Sequence, residues 1–224
     1  MRSYLDKVLA IVGKDVAAEL RTREVLSSMF VFALLVIVIF NFAFELKVEN
    51  TGAVAPGVLW VAIVFAGMLG LNRSFITEKD RGCMEGLLLC PVDRSAIYVG
   101  KMVGNLLFMA AMEAIVLPVY AAFFNLPVFA PRMLLIVLLG TIGFAAVGTL
   151  FSAVAVHTRT REVMLPILLL PVAVPVLVAA VKATGDALAS TPPPTEGPWL
   201  GVLIGFDVIF LTVAFLTFEY VFQE

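Results

Sequence analysis

Apolar residues run in six long blocks along this chain, and charged residues collect in the gaps between them. The blocks are Leu26–Phe44, Val54–Leu71, Lys101–Phe124, Met133–Val156, Val163–Val181 and Trp199–Phe222. Each is close to the roughly 20 helical residues that cross the hydrocarbon core of a bilayer. A backbone in hydrocarbon must satisfy its own hydrogen bonds, so the blocks are expected to be helices. A barrel would need strands of about ten residues with alternating polarity, and no such alternation appears. The stretch before the first block has a different pattern. Leu5, Val8, Leu9, Val12, Val16 and Leu20 fall on one arc of a helical wheel. That arc predicts an amphipathic helix over residues 1–25, lying in the membrane interface. Glu19 and Arg23 share the arc at a four-residue spacing that lets them pair. The expected fold is an all-α integral membrane protein of one domain, with six transmembrane helices behind an interfacial helix.

Composition agrees. The chain is 62% hydrophobic with a mean hydropathy of +1.06, against about 45–50% apolar in soluble domains. Its net charge of −2, from 15 basic and 17 acidic residues, gives no reason to expect a nucleic-acid partner. Cys83 and Cys90 match no zinc or haem-attachment spacing and are expected to be reduced thiols. His157, beside Thr158 and Arg159 at the end of the fourth block, is expected to be solvated. Met1–Arg23 is charged throughout, so no cleavable signal is expected. Neither Gly13-Lys14 nor Gly100-Lys101 completes a phosphate loop. The chain is therefore expected to hydrolyse no ATP itself, and nothing in it marks an enzyme.

Lysine and arginine set the orientation. Arg2, Lys7, Lys14, Arg21, Arg23, Arg73, Lys79, Arg81, Arg94, Lys101, Arg159 and Arg161 fall on one side, and Lys47, Arg132 and Lys182 on the other. Basic residues stay cytoplasmic, so both termini and the 72–100 loop are expected in the cytoplasm and the 182–198 loop outside. Within the latter, Ser190–Pro198 reads as a stiff extended linker. Glu113 and Asp207 lie inside spans, where an acid is costly and marks either function or a contact between helices. Asn41 and Asn105 are milder instances. Gly100/Gly104 and Gly201/Gly205 permit close helix approach. Pro166, Pro171 and Pro175 are expected to kink or break the fifth span.

The most charged stretch is "TEKDRGCMEGLLLCPVDR", Thr77–Arg94. Met84–Cys90 is expected to form a short helix ended by Pro91, and Asp93 to cap the next one. Apolar Leu87 and Leu88 amid charges follow the pattern of an interface, an apolar centre with a polar rim. "ITEKDRGCMEGLLLCPVDRSAIYVGKMVGN" resembles the acid-x-x-x-G-x-x-E-x-L-L-x-x-P…G-K signature of type-2 ABC exporter permeases. With "ELRTREVLSSMFVFALLVIVIFNFAF" and "LPILLLPVAVPVLVAA", it resembles the haem exporter B (CcmB) family of cytochrome c maturation. Cys83-Met84 departs from the Thr-Leu more usual in that family.

That resemblance implies a permease subunit in a bacterial inner membrane, with no cofactor of its own. ATP would be hydrolysed by a separate ATPase subunit, and haem handled by the complex. Further implied partners are a second copy of the chain, a haem-handling membrane protein and a small membrane protein. Together they would release a haem-loaded periplasmic chaperone. Glu78, Asp80, Arg81, Glu85 and Arg94 would form the rim of the ATPase contact, and Leu87 and Leu88 its centre. The competing readings are a type-2 permease for lipid, polysaccharide or drug, and an ion-coupled transporter using Glu113 and Asp207.

Overall fold

A computed structural model describes residues 4–45, 51–80, 82, 93–156, 158, 161–189 and 197–221. Among them the chain forms seven helices and no strand: α1 (Tyr4–Thr22), α2 (Glu24–Glu45), α3 (Thr51–Asp80), α4 (Arg94–Phe124), α5 (Pro131–Ala155), α6 (Arg161–Leu188) and α7 (Trp199–Val221). The helices α2 to α7 supply six segments long and apolar enough to cross a membrane. The protein is thus a multi-pass membrane protein, as the six apolar blocks predict.

A single residue joins α1 to α2. Arg23 has a left-handed backbone, φ 56°, and its N–H donates to the Glu19 carbonyl at 2.6 Å. That conformation costs a residue with a side chain about 1–2 kcal/mol. The Glu19 carboxylate accepts a hydrogen bond from the Leu26 N–H at 2.8 Å, satisfying a donor in the first turn of α2. The i+4 spacing predicts a Glu19–Arg23 pair instead. The turn at Arg23 breaks the helical face on which that pair would form.

The apolar arc of α1 divides in two. Val8, Ile11 and Val12 are buried, with Val8 and Val12 packed beside Ala96, Val99 and Val103 of α4. Leu5, Leu9 and Leu20 remain 67%, 64% and 64% exposed. Gly100 makes the docking close, since a Cβ there would sit 2.9 Å from Ile11. Gly201 and Gly205, by contrast, face open space.

Two helices outrun their apolar blocks. Asn72–Asp80 contains no breaker, so α3 passes Leu71 and the loop expected from 72 starts only after Asp80. Gly82, at φ 66°, follows it and donates to the Lys79 carbonyl at 3.0 Å. Likewise α6 continues to Leu188, so residues 182–188 are helical rather than loop. Its three prolines do not break it, because α3, α5 and α7 pack around it and hold the backbone in place. Asp93 stands at the N-cap of α4, but its side chain makes no capping bond. Its carboxylate turns to Lys7 of α1, 3.6 Å away.

Helices α3 and α5 form the centre and are mostly buried, whereas α2 and α7 are mostly exposed. Small residues bring α5 close to α3 and α7: Gly140 lies against the Trp60 indole, Gly143 against Asp207 and Phe206, and Gly148 against Leu71. Polar ties join the spans. Trp60 Nε1 donates to Thr184 Oγ1 at 3.0 Å, Tyr98 OH to the Ala146 carbonyl at 3.1 Å, and Ser152 Oγ to the Leu71 carbonyl at 2.7 Å. Val31, Leu35 and Ile39 of α2 and Val208, Ile209 and Leu216 of α7 are exposed on the outside of the bundle.

Candidate functional site

Four charges meet where α1 crosses the ends of α3 and α4. Lys101, on α4, is only 2% exposed. Its ammonium lies 2.9 Å from Asp15 Oδ2 and 2.9 Å from Glu78 Oε1, and donates to the Ser74 carbonyl at 2.9 Å. The Phe75 ring flanks it, 5.4 Å from ammonium to centroid. Lys14 of α1 pairs with the same Glu78 oxygen and with Asp15 at 3.3 Å. A buried ammonium is tolerated only when paired, and here two carboxylates, a carbonyl and an aromatic face surround it.

Local packing explains why these residues meet. Gly100 and Gly104 let α1 approach α4, and Asp15 lies beside Gly104, where a Cβ would be 3.7 Å from its Oδ2. Ser74 and Glu78 are one turn apart on α3, so both reach Lys101 from one side. Partial burial works against the Lys14 charge. The hydrogen bond to Glu78 and the charges of Asp15 and Glu78 outweigh it, and the Lys14 pKa is raised above 10.5. Glu78 Oε2 is buried with no partner. A cavity of about 230 Å³ opens beside the cluster, lined also by Glu19, Glu24, Arg73 and Asn105. Arg73 pairs with Glu24 at 2.6 Å among its lining residues.

The two acids within the spans are buried against α5. Glu113 of α4, 6% exposed, accepts a hydrogen bond from Thr141 Oγ1 at 2.5 Å. Asp207 of α7, 5% exposed, packs on Gly143, and neither of its carboxylate oxygens has a partner. Thr141 and Gly143 are two residues apart, so the acids flank α5 at one level. Asn105 donates to Thr149 Oγ1 at 2.9 Å, and Asn41 to the Phe123 carbonyl at 3.1 Å.

The profile of the CcmB protein family matches residues 6–221. The chain belongs to the CcmB family. Several relatives carry the name heme exporter protein B. The one from Pseudomonas aeruginosa is 27% identical over 194 residues, 86% of this chain and 87% of its own. The one from Rhodobacter capsulatus is 26% identical over 172 residues, covering 75% and 78%. The one from Shigella flexneri is 31% identical over 176 residues, covering 77% of each.

In this CcmB-family chain, the residues expected at an ATPase contact separate. Glu78 is buried in the ion cluster, 8% exposed, Asp80 ends α3, and Arg94 opens α4 half-buried. Arg81, Glu85, Leu87 and Leu88, with the expected Met84–Cys90 helix, lie outside the described residues, as do His157 and residues 190–196. Lys14, Asp15 and Lys101 enter the site without having been singled out for it. The legible signal was Lys101 itself, a lysine inside the apolar run Ala96–Ala111 with Asn105 as its near polar companion. Glu78 and Lys101 are also the first acid and the closing lysine of the CcmB-like stretch, and the fold brings these two together.

Proposed function

We propose that this chain is the permease subunit of an ABC-type haem exporter acting in cytochrome c maturation. It sits in the bacterial inner membrane with both termini cytoplasmic. A separate ATPase subunit hydrolyses ATP and docks on the Glu78–Arg94 stretch, while the permease converts that contact into movement of its spans. A second copy of the chain, a haem-handling membrane protein and a small membrane protein complete the complex, which releases a haem-loaded periplasmic chaperone. The observation that carries this reading is the family match over residues 6–221. The names of the relatives support haem as the cargo handled, and the basic-residue asymmetry supports the orientation. Energy coupling through a partner fits a chain with no phosphate loop.

The test is charge reversal at the docking stretch. Glu85→Lys and Arg81→Glu leave the six spans untouched, so insertion is unchanged. Like charges facing each other across an interface cost several kcal/mol. The variants should lose the co-purifying ATPase and the maturation of c-type cytochromes. Normal ATPase retention and normal maturation in both would sink the docking reading.

A further inference from the structure

Both helix ends that bracket the docking stretch are tied to the same face of α1. At the end of α3, Glu78 is bound by Lys14 and by Lys101, which also holds Asp15 of α1. At the start of α4, Asp93 faces Lys7 at 3.6 Å. Lys7 and Lys14 are seven residues apart, two turns along one face of α1, which spans about 10 Å. Gly100 and Ile11 seat α1 against α4 between the two ties. Chemically, the inner tie is the stronger. Its lysine is 2% exposed and its acids 15% and 10%, whereas the Asp93 side chain is 68% exposed.

We propose that Lys14, Asp15, Glu78 and Lys101, helped by Lys7 and Asp93, are positioning residues: they brace the ends of α3 and α4 onto α1. The two helix ends, with α1 across them, then meet the ATPase as one rigid body. This rests on the proposed docking of an ATPase between Glu78 and Arg94. It adds that α1, which no part of the stretch itself contains, is needed to present it. The cluster has features that packing alone does not require. It is charge-balanced, with two lysines and two carboxylates, and it joins elements 64 and 87 residues apart (Lys14 to Glu78, and Lys14 to Lys101). An apolar contact would fasten α1 equally well, as Val8 and Val12 do against Ala96. Directed charge pairs also specify the register of α1 along α3 and α4.

The experiment uses the full chain co-expressed with its ATPase subunit, with Cys83 and Cys90 replaced by Ser. Lys14→Cys and Glu78→Cys are combined, which removes one charge of each sign and leaves Lys101 paired with Asp15. The amount of co-purified ATPase is read with and without a short reagent that bridges the two thiols. Without the bridge, retained ATPase should fall roughly tenfold, the scale of a lost interface contact. With the bridge it should return to within about twofold of the parent, within ordinary additivity error. The unbridged variant should stay monodisperse in detergent and melt close to the parent, whereas the bridge itself raises melting by constraining the unfolded chain. Retention unchanged without the bridge would overturn the proposal, and so would a loss that bridging fails to restore. An unbridged variant that aggregates or melts far below the parent would assign the pair a purely structural role, which also overturns it. Glu85→Lys separates the two ideas. If it and Arg81→Glu both have no effect, the docking reading fails. If it uncouples while the Cys pair retains ATPase, the brace alone fails.

Discussion

Replacing Lys101 with Met tests the charge cluster directly, because the side chain keeps an unbranched apolar stem, ends one atom shorter and loses its ammonium. Two carboxylate contacts at 2.9 Å disappear. At an effective dielectric near 20, each is worth about 6 kcal/mol of Coulomb energy before desolvation. Removing one member of a buried pair costs about 3–5 kcal/mol once desolvation is included. Lys14 still serves Asp15 and Glu78 but is 49% exposed, so the lower figure, about 3 kcal/mol, is expected for the seating of α1. That is roughly a 150-fold shift in the equilibrium between docked and lifted α1. Hydrogen exchange of the protein in a lipid nanodisc should report it. Amides of α1 should exchange up to about 100-fold faster, while those of α5, which does not touch the cluster, should be unchanged. Adding Glu78→Gln removes one of the stranded carboxylates and should recover at least about 1 kcal/mol of the loss, a measurable coupling. If α1 exchanges within about threefold of the parent rate in Lys101→Met, the cluster does not hold α1 and the reasoning fails.

Four further outcomes are expected. The Lys14 pKa is raised by its pairing, so its contribution to seating α1 is fully present below pH 10.5 and lost as pH climbs through the raised value. A fluorophore at Leu9→Cys, in a chain lacking Cys83 and Cys90, should show this alkaline transition, and Lys14→Met should remove it. Asp207→Leu replaces a buried carboxyl that has no partner with an apolar group of similar shape. It should stabilise the detergent-solubilised protein by about 1–3 kcal/mol in melting experiments, and an equal loss would show that the carboxyl has a partner. Gly140→Val should destabilise by about 1–3 kcal/mol, because Trp60 fills that space and is held in place by Thr184. Gly201→Ala, in open space, should stay within about 0.5 kcal/mol.

The spans were legible because hydrocarbon leaves a long apolar run little choice but a helix. Their ends were less so, since helix length beyond the apolar block depends on breakers rather than hydropathy. Nothing stops α3 between Leu71 and Gly82, and α6 carries three prolines without ending, because neighbouring helices hold it. The glycines show the limit of spacing. Gly100 and Gly104 do face α1, while the similarly spaced Gly201 and Gly205 face nothing. The glycines that do fix the bundle, Gly140, Gly143 and Gly148, stand out only once Trp60, Asp207 and Leu71 are placed over them. The ion cluster was hidden for the same reason. Lys14 and Lys101 read as orientation signals in their own segments, and their shared acid, Glu78, read as part of a loop that proved to be helix.

The lone residue between α1 and α2 has a mechanical consequence. With only Arg23 between them, the joint has no slack. The 19-residue α1 is a lever about 28 Å long. A swing of about 10° at Arg23 would carry Tyr4 by about 5 Å at the far end of that lever. Near the pivot, at Glu19, the same swing moves atoms by only about 1 Å, which a rotamer adjustment of the Glu19 carboxylate, the acceptor of the Leu26 N–H, can follow. Torque applied at the Tyr4 end of α1 would therefore reach the base of α2 as rotation rather than be absorbed in between.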